Sequence, residues 1–183
     1  MLEIRFSGRG GQGVVVASQM LGLAFFKAGA YPQCYSLFGG ERRGAPVVAF
    51  LRVDEKKILL KCEIGQADEL LCFDDGLLGP AEIRGLVRPG GRLLINTHRP
   101  PESFAELAEF EKGFVDGAAI SRETGLPAVV NSAMLGAYAR FGARLPLETV
   151  LEAIAEGVPA KHEENREAAK RAHERVVFEP ARS

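Results

Sequence analysis

Cysteine is scarce in this chain of 183 residues: Cys34, Cys62 and Cys72 are an odd three, and no two form a C-x-x-C pair. That excludes a disulfide framework and a cluster-binding cysteine run, and reads the three as buried thiols. An excess of charge of one sign is also lacking. Lys and Arg number 23 against 24 Asp and Glu, a net charge of −1. No global field therefore draws the protein to nucleic acid or an anionic membrane, and any anion it binds must be held by a local site. Long apolar runs are missing as well. Met1-Leu2-Glu3-Ile4-Arg5-Phe6 interleaves charged with apolar residues, and no stretch reaches the ~18 apolar residues of a spanning helix. The expectation is a cytoplasmic protein with no membrane and no nucleic-acid partner. The 21 Gly and 10 Pro fall below the level of a low-complexity chain, and the length suits one domain over residues 1–183.

Residues for catalysis are equally thin. His98, His162 and His173 are scattered without metal-ligand spacing, and there is no G-x-S-x-G elbow and no Cys–His arrangement. Asp74-Asp75 follows a short apolar strand and is read as a helix cap.

What the chain does contain is an ordered alternation of strands and helices. Leu2, Ile4 and Phe6 alternate with Glu3, Arg5 and Ser7, a strand that runs into Gly8-Arg9-Gly10-Gly11-Gln12-Gly13. Val14 to Ala28 is nearly all apolar, as in a helix buried on most sides against a sheet, and Tyr31 to Leu37 is β-prone. After the charged loop Gly39-Gly40-Glu41-Arg42-Arg43-Gly44, residues Ala45 to Val53 suit a buried strand, with Ile58-Leu59-Leu60 as its hairpin partner. Leu70 to Phe73 and Leu93 to Ile95 are further strands, Pro100 and Pro101 open a helix to about Phe110, and Phe114-Val115 reads as an edge strand. The last third is helical over Ala128 to Arg140, Leu147 to Ala155 and Ala160 to about Val176, with Pro146 and Pro159 at two of the starts. On the last of these, Ala168, Ala169 and Ala172 form a stripe that would pack on its own domain or on a partner. The pattern predicts a three-layer α/β/α domain with a largely parallel, Rossmann-like sheet, a β-hairpin and a helical C-terminal third.

Two loops carry the chemistry. Gly8, Gly10 and Gly13 satisfy G-x-G-x-x-G directly after a strand and before a helix, the context in which backbone amides and the helix dipole hold a phosphate. Gly11 and Gln12 complete the loop, with Gln12 projecting a polar side chain. No acidic residue stands near Gln33 to bind a ribose, which argues against NAD, and no G-K-[ST] closes the loop, which excludes a P-loop. A glycine turn needed only for tight packing remains open. Arg42 and Arg43, bracketed by glycines, can clamp phosphates or carboxylates, or simply form a solvated loop. In an open α/β sheet both loops can face a common crevice. Asn131, with Ser132, offers a third polar contact there or a helix cap.

Three segments together resemble the gamma subunit of the 2-oxoacid:ferredoxin oxidoreductases: Gly8-Arg9-Gly10-Gly11-Gln12-Gly13-Val14-Val15, Phe38-Gly39-Gly40-Glu41-Arg42-Arg43-Gly44-Ala45-Pro46, and Val130-Asn131-Ser132-Ala133-Met134-Leu135-Gly136. Glu164-Asn165-Arg166-Glu167-Ala168 extends the similarity towards the C-terminus. The form of the arginine loop is closest to the pyruvate synthase and 2-oxoisovalerate types, with pyruvate the first choice of substrate. The resemblance implies an enzyme that makes acyl-CoA, CO2 and reduced ferredoxin from a 2-oxoacid. Thiamine diphosphate, Mg and iron–sulfur clusters would lie in partner subunits, and ferredoxin would be reached through the complex. For this chain it implies assembly and a contact with coenzyme A through Gly8, Gly10, Gly11, Gln12, Gly13, Arg42, Arg43 and Asn131. The isolated chain would be inactive and could dimerise. A docking subunit without ligand contacts and a stand-alone nucleotide-binding protein are the alternatives.

Overall fold

A computed structural model describes residues 1–37, 44–126 and 129–182. Its frame is a seven-stranded sheet of order β2-β3-β1-β4-β5-β6-β7, formed by β1 (Leu2–Arg9), β2 (Tyr31–Leu37), β3 (Pro46–Asp54), β4 (Ala67–Cys72), β5 (Val87–Asn96), β6 (Glu111–Val115) and β7 (Val177–Glu179). The central pairs β1/β4, β4/β5 and β5/β6 are parallel, while β1/β3, β2/β3 and β6/β7 are antiparallel. Two successive reversals return β2 to the direction of β1. The loops that follow β1, β2, β4, β5 and β6 therefore leave the sheet at one edge.

The hairpin is real but differently made than expected. It joins β2 to β3, Cys34 facing Leu51 and Tyr35 facing Phe50. Residues 58–60 form no strand, and Leu59 is 79% exposed. Their apolar character reflects surface rather than a ladder. Nor is the Phe114-Val115 strand an edge, because β7 pairs outside it from Lys112 to Phe114. The helix expected after Pro100 is a 3-10 segment over Pro101–Leu107, kinked at Phe104.

The helices are α1 (Val14–Lys27), α2 (Pro80–Leu86), α3 (Gly117–Glu123), α4 (Asn131–Gly142), α5 (Leu147–Gly157) and α6 (His162–Arg175). One face of the sheet carries most of them. Ile4 and Phe6 of β1, Ala49 and Leu51 of β3, and Leu71 and Leu94 of β4 and β5 meet Met20, Leu21, Met134, Leu135, Leu151 and Ile154 in one buried cluster. Burial of this apolar area is the main stabilising term. The other face is thinner: Leu70, Cys72, Leu93 and Ile95 are covered by Ile83 of α2 and by Phe104 and Leu107 of the 3-10 segment. Two covered faces around a mostly parallel sheet give the expected three layers.

The alanine stripe of α6 packs within the chain. Ala168, Ala169 and Ala172 are fully buried, and a Cβ at Gly136 of α4 would overlap the carbonyl of Ala169. Two backbones in contact leave no side chain that could yield. The thiols depart from the expectation in part: Cys72 is buried, Cys34 belongs to an exposed residue but turns its sulfur against Gly22 of α1, and Cys62 is exposed.

Candidate functional site

The site lies at the sheet edge where β1 ends. There the glycine loop divides its work. A Cβ on Gly8 would come within 2.8 Å of Phe73, Val14 and Gln12, so this glycine allows the end of β1 to close against β4 and α1. Gly10 continues the ladder towards β3, its N–H donating to the Ala45 carbonyl at 2.8 Å and its carbonyl accepting from Gly44 at 3.1 Å. Gly11 and Gly13 take positive φ, 100° and 81°, which a residue with a Cβ rarely adopts. That twist turns the chain from strand into helix α1.

Gln12 does not project outwards. Its carbonyl oxygen accepts from the Arg9 N–H at 2.7 Å, and its amide donates to the Phe73 carbonyl at 3.2 Å. Asn96 donates to the same Phe73 carbonyl at 2.9 Å and accepts from the Gly117 N–H at 2.8 Å. Two carboxamides thus tie the ends of β1, β4 and β5 and the start of α3 into one rim. With these bonds made, the loop amides that meet no described acceptor are those of Gly11 and Gly13 and of Val14, Val15 and Val16 in the first turn of α1, whose first i→i−4 bond is Ala17 to Gly13. They sit at the positive end of the helix dipole.

Asn131 is placed directly against this turn. It is buried, and a Cβ on Gly13 would lie 2.9 Å from its Nδ2. Its Oδ1 accepts from the Ser132 N–H at 2.8 Å, the Ser132 hydroxyl donates to Asn165 Oδ1 at 2.6 Å, and Asn165 Nδ2 donates to the Lys161 carbonyl at 2.8 Å. The first and third of the segments that carry the resemblance, more than a hundred residues apart in sequence, therefore meet at one point. Arg42 and Arg43 lie outside the described residues. Gly44 and Ala45, at the end of their loop, are bonded to Gly10.

Asp74 and Asp75 do not cap a helix. The residue before α2 is Gly79, whose N–H donates to Glu82. Asp74 instead accepts from Arg9 Nε at 2.8 Å and from the Gly76 N–H at 3.1 Å, while Asp75 accepts from Thr97 Oγ1 at 2.5 Å and from Arg99 Nε at 2.8 Å. Beside them a crevice of about 130 Å³ is lined by Gln12, Asp74, Asn96, Thr97, His98 and Asp116. Arg9 and Asp74 are the site residues that sequence reasoning passed over. The position of Arg9 inside the glycine loop was the one available signal.

The other reactive groups fall elsewhere. His162 is exposed and His173 half-buried on α6, the latter held below its ordinary pKa by burial and by Arg140. The three thiols do not converge. Cys34 donates to the Ser18 carbonyl beside α1, Cys62 accepts from Arg52, and Cys72 donates to the Asp74 carbonyl. Burial raises the Cys34 thiol to about 11 and Cys72 to about 12. Among the described residues no group of His, Cys, Asp and Glu fits a metal ion, and no helix is long and apolar enough to cross a membrane.

A strand–glycine turn–helix unit at the carboxyl edge of the parallel strands, with amides that meet no described acceptor, has the arrangement in which α/β proteins bind anions. Residues 3–175 match the family model of pyruvate ferredoxin/flavodoxin oxidoreductase. The chain belongs to that family, among its gamma-type subunits. It is 41% identical over 182 residues to the pyruvate/ketoisovalerate oxidoreductases common subunit gamma of Thermococcus kodakarensis, covering 97% of this chain and 98% of that protein. The crystal structure of a pyruvate oxidoreductase subunit from Thermotoga maritima superposes with a TM-score of 0.83 at 32% identity, over 97% of each chain. A 2-oxoglutarate:ferredoxin oxidoreductase from Magnetococcus marinus, solved with 2-oxoglutarate, coenzyme A and succinyl-CoA bound, aligns at TM-score 0.75 and 18% identity, over 98% of this chain and 32% of that one. At that identity the likeness is one of fold.

Proposed function

We propose that this subunit contributes to coenzyme A binding and to assembly in a complex that oxidises a 2-oxoacid, with pyruvate the first choice, to acyl-CoA, CO2 and reduced ferredoxin. The carrying observation is the set of open amides at Gly11, Gly13 and the first turn of α1, held against buried Asn131 at the edge where the arginine loop ends. Gly11, Gly13 and Val14 amides meet a phosphate of coenzyme A, Asn131 Nδ2 contacts the ligand, and Arg42 and Arg43 clamp a further phosphate. Gly8, Gly10 and Gln12 hold the loop in shape. The fold of the Magnetococcus marinus enzyme, in which coenzyme A is bound, supports this reading.

In partner subunits, thiamine diphosphate with Mg supplies the decarboxylation chemistry and iron–sulfur clusters carry the two electrons to ferredoxin. This chain's thiols, dispersed over three places, are not a ligand set for a cluster. The isolated chain is inactive by this reading. Exposed Phe26, Tyr31, Leu37, Leu59 and Leu60 favour subunit contacts, and self-association when the partners are missing.

The test uses the assembled complex. Replacing both Arg42 and Arg43 with Ala, or Asn131 with Ala, should raise the KM for coenzyme A while leaving kcat near the parent value, because a remote phosphate clamp supplies uniform binding. An unchanged KM for both in a normally assembled complex assigns these loops to docking alone. That second reading draws on Gly8, Gly10 and Gln12, whose contacts are all internal.

A further inference from the structure

Arg9 is the one cation built into the glycine loop, and its surroundings orient it. Its backbone N–H is fixed by Gln12, and its side chain reaches across the edge of the sheet to Asp74, Nε to Oδ2 at 2.8 Å, with Nη1 3.4 Å from the Gly44 carbonyl. Asp74 is itself committed, its other oxygen accepting from the Gly76 N–H. The guanidinium is thus held at Nε and Nη1. Nη2 meets no acceptor among the described residues, and the side chain is 41% exposed against 23% for Asp74.

The neighbouring pair is placed differently. Arg99 also places Nε 2.8 Å from an aspartate, Asp75, but its Nη2 donates to the Asp75 carbonyl and its guanidinium lies over the Phe104 ring at 4.7 Å. Arg99 thus lies against a ring and outside the glycine loop. Arg9 is in that loop, and its Nη2, like the Gly11 and Gly13 amides, meets no acceptor among the described residues. A guanidinium offers a phosphate two parallel N–H bonds, which an ammonium cannot, and a carboxylate on the opposite edge preserves that orientation.

We propose that Arg9 reads a phosphate of the ligand held at the glycine loop, with Asp74 as its positioning residue; this rests on the coenzyme A reading above. Coenzyme A has two phosphate sources, the 3′-phosphomonoester and the diphosphate. The same fork chemistry serves either, and the substrate analogue lacking the 3′-phosphate separates them.

The experiment is steady-state kinetics of the assembled complex with coenzyme A and with 3′-dephospho-coenzyme A, for the parent enzyme and for Arg9→Gln, Arg9→Lys, Asp74→Asn and Arg99→Gln. Loss of a charge-assisted pair predicts that Arg9→Gln raises the KM for coenzyme A about ten- to a hundred-fold with kcat within about twofold. Arg9→Lys should recover part of that loss, since it keeps the charge but not the fork. Asp74→Asn should cost about two- to fivefold, less than the loss of the arginine itself, and Arg99→Gln should leave KM unchanged. If Arg9→Gln leaves the KM for dephospho-coenzyme A untouched, the phosphate is the 3′ one; if both rise together, it is the diphosphate. A KM for coenzyme A within twofold of the parent in assembled Arg9→Gln overturns the inference. Should Arg9→Gln fail to assemble, Arg9→Lys and Asp74→Asn decide it, and parental KM values in both overturn it. Raised KM in the Asn131 or Arg42/Arg43 variants with parental KM in Arg9→Gln defeats the Arg9 inference alone, whereas parental KM in all of them defeats the coenzyme A reading itself.

Discussion

The two edges of the sheet are built from the same residue types and do opposite things with them. At the edge where β1 begins, every buried charge is closed by a partner. Glu3 pairs with Arg52 Nε at 2.9 Å and with Arg88, which also meets Asp68 at 2.6 Å. Glu69, 3% exposed, accepts from the Tyr138 hydroxyl at 2.7 Å and faces Arg144 at 3.3 Å and Arg92 at 3.6 Å. Burial and the adjacent carboxylate push the Tyr138 hydroxyl well above its ordinary pKa, so it remains a donor. A hollow of about 950 Å³ opens at this edge, far larger than the crevice at the other. At the edge where β1 ends, the side chains likewise bond to one another, but amides of the loop and Arg9 Nη2 meet no acceptor among the described residues. On the proposed reading, the candidate site is marked neither by charge nor by volume. It is marked by donors that meet no acceptor among the described residues.

The largest effect that would break this contrast belongs to the closed edge. Glu69→Ala leaves two arginines and a buried hydroxyl facing an empty place, and a buried pair broken on one side costs about 3–5 kcal/mol. The thermal unfolding midpoint should fall by about 10 °C, with the KM for coenzyme A in the assembled complex unchanged. A raised KM would show that the two edges are coupled. Gly13→Ala comes next. It places a Cβ at φ 81° and 2.9 Å from Asn131, which should cost about 1–3 kcal/mol on denaturant titration and also raise that KM. A stable variant with parental KM would mean the turn needs no glycine.

The thiol of Cys72 sharpens the comparison in a different way, because it lies under the open edge and bonds to Asp74. With its pKa raised to about 12 by burial, the thiolate fraction at pH 8 is about one in ten thousand. Alkylation of the folded chain at pH 8 should spare Cys72 and proceed slowly at Cys34, raised to about 11, while both react after unfolding. The sign of the linkage follows. The unfolded thiols ionise first, so the stability these groups contribute is complete below about pH 8.5 and is lost as pH rises towards 11 and 12. Rapid labelling of native Cys72 at pH 8 would contradict this. The smallest effect is on the stability of Arg9→Gln. An ion pair as exposed as Arg9–Asp74 contributes under about 1 kcal/mol, so this variant should melt near the parent however strongly it alters ligand binding.

Local patterns made much of this legible. The β1–glycine turn–α1 unit, the apolar strands β3 to β5 and the three C-terminal helices follow from period-2 and helical spacing and from proline at helix starts. What escaped was set by distance along the chain. Ile58 to Leu60 looks like a strand because it is apolar, but the ladder of β3 was already filled by β2 and β1. β7 is three residues long and has no period to read. Asp74 reads as a cap by proximity to α2, and only the fold shows that Arg9, 65 residues earlier, takes it first. Gln12 reads as reaching out because no pattern in the sequence marks its partners. Its oxygen takes the Arg9 N–H within the loop, and its amide takes the Phe73 carbonyl, 61 residues away.

The chain of side chains from Asn131 through Ser132 to Asn165 has a dynamic consequence. It fastens the turn at Gly13 to the first turn of α6, and α6 in turn crosses α4 backbone against backbone at Gly136 and Ala169. Loop and C-terminal helix then open as one cooperative unit rather than by separate fraying. A ligand seated on the Gly13 amides should slow amide hydrogen exchange along α6, although no residue of that helix need touch it.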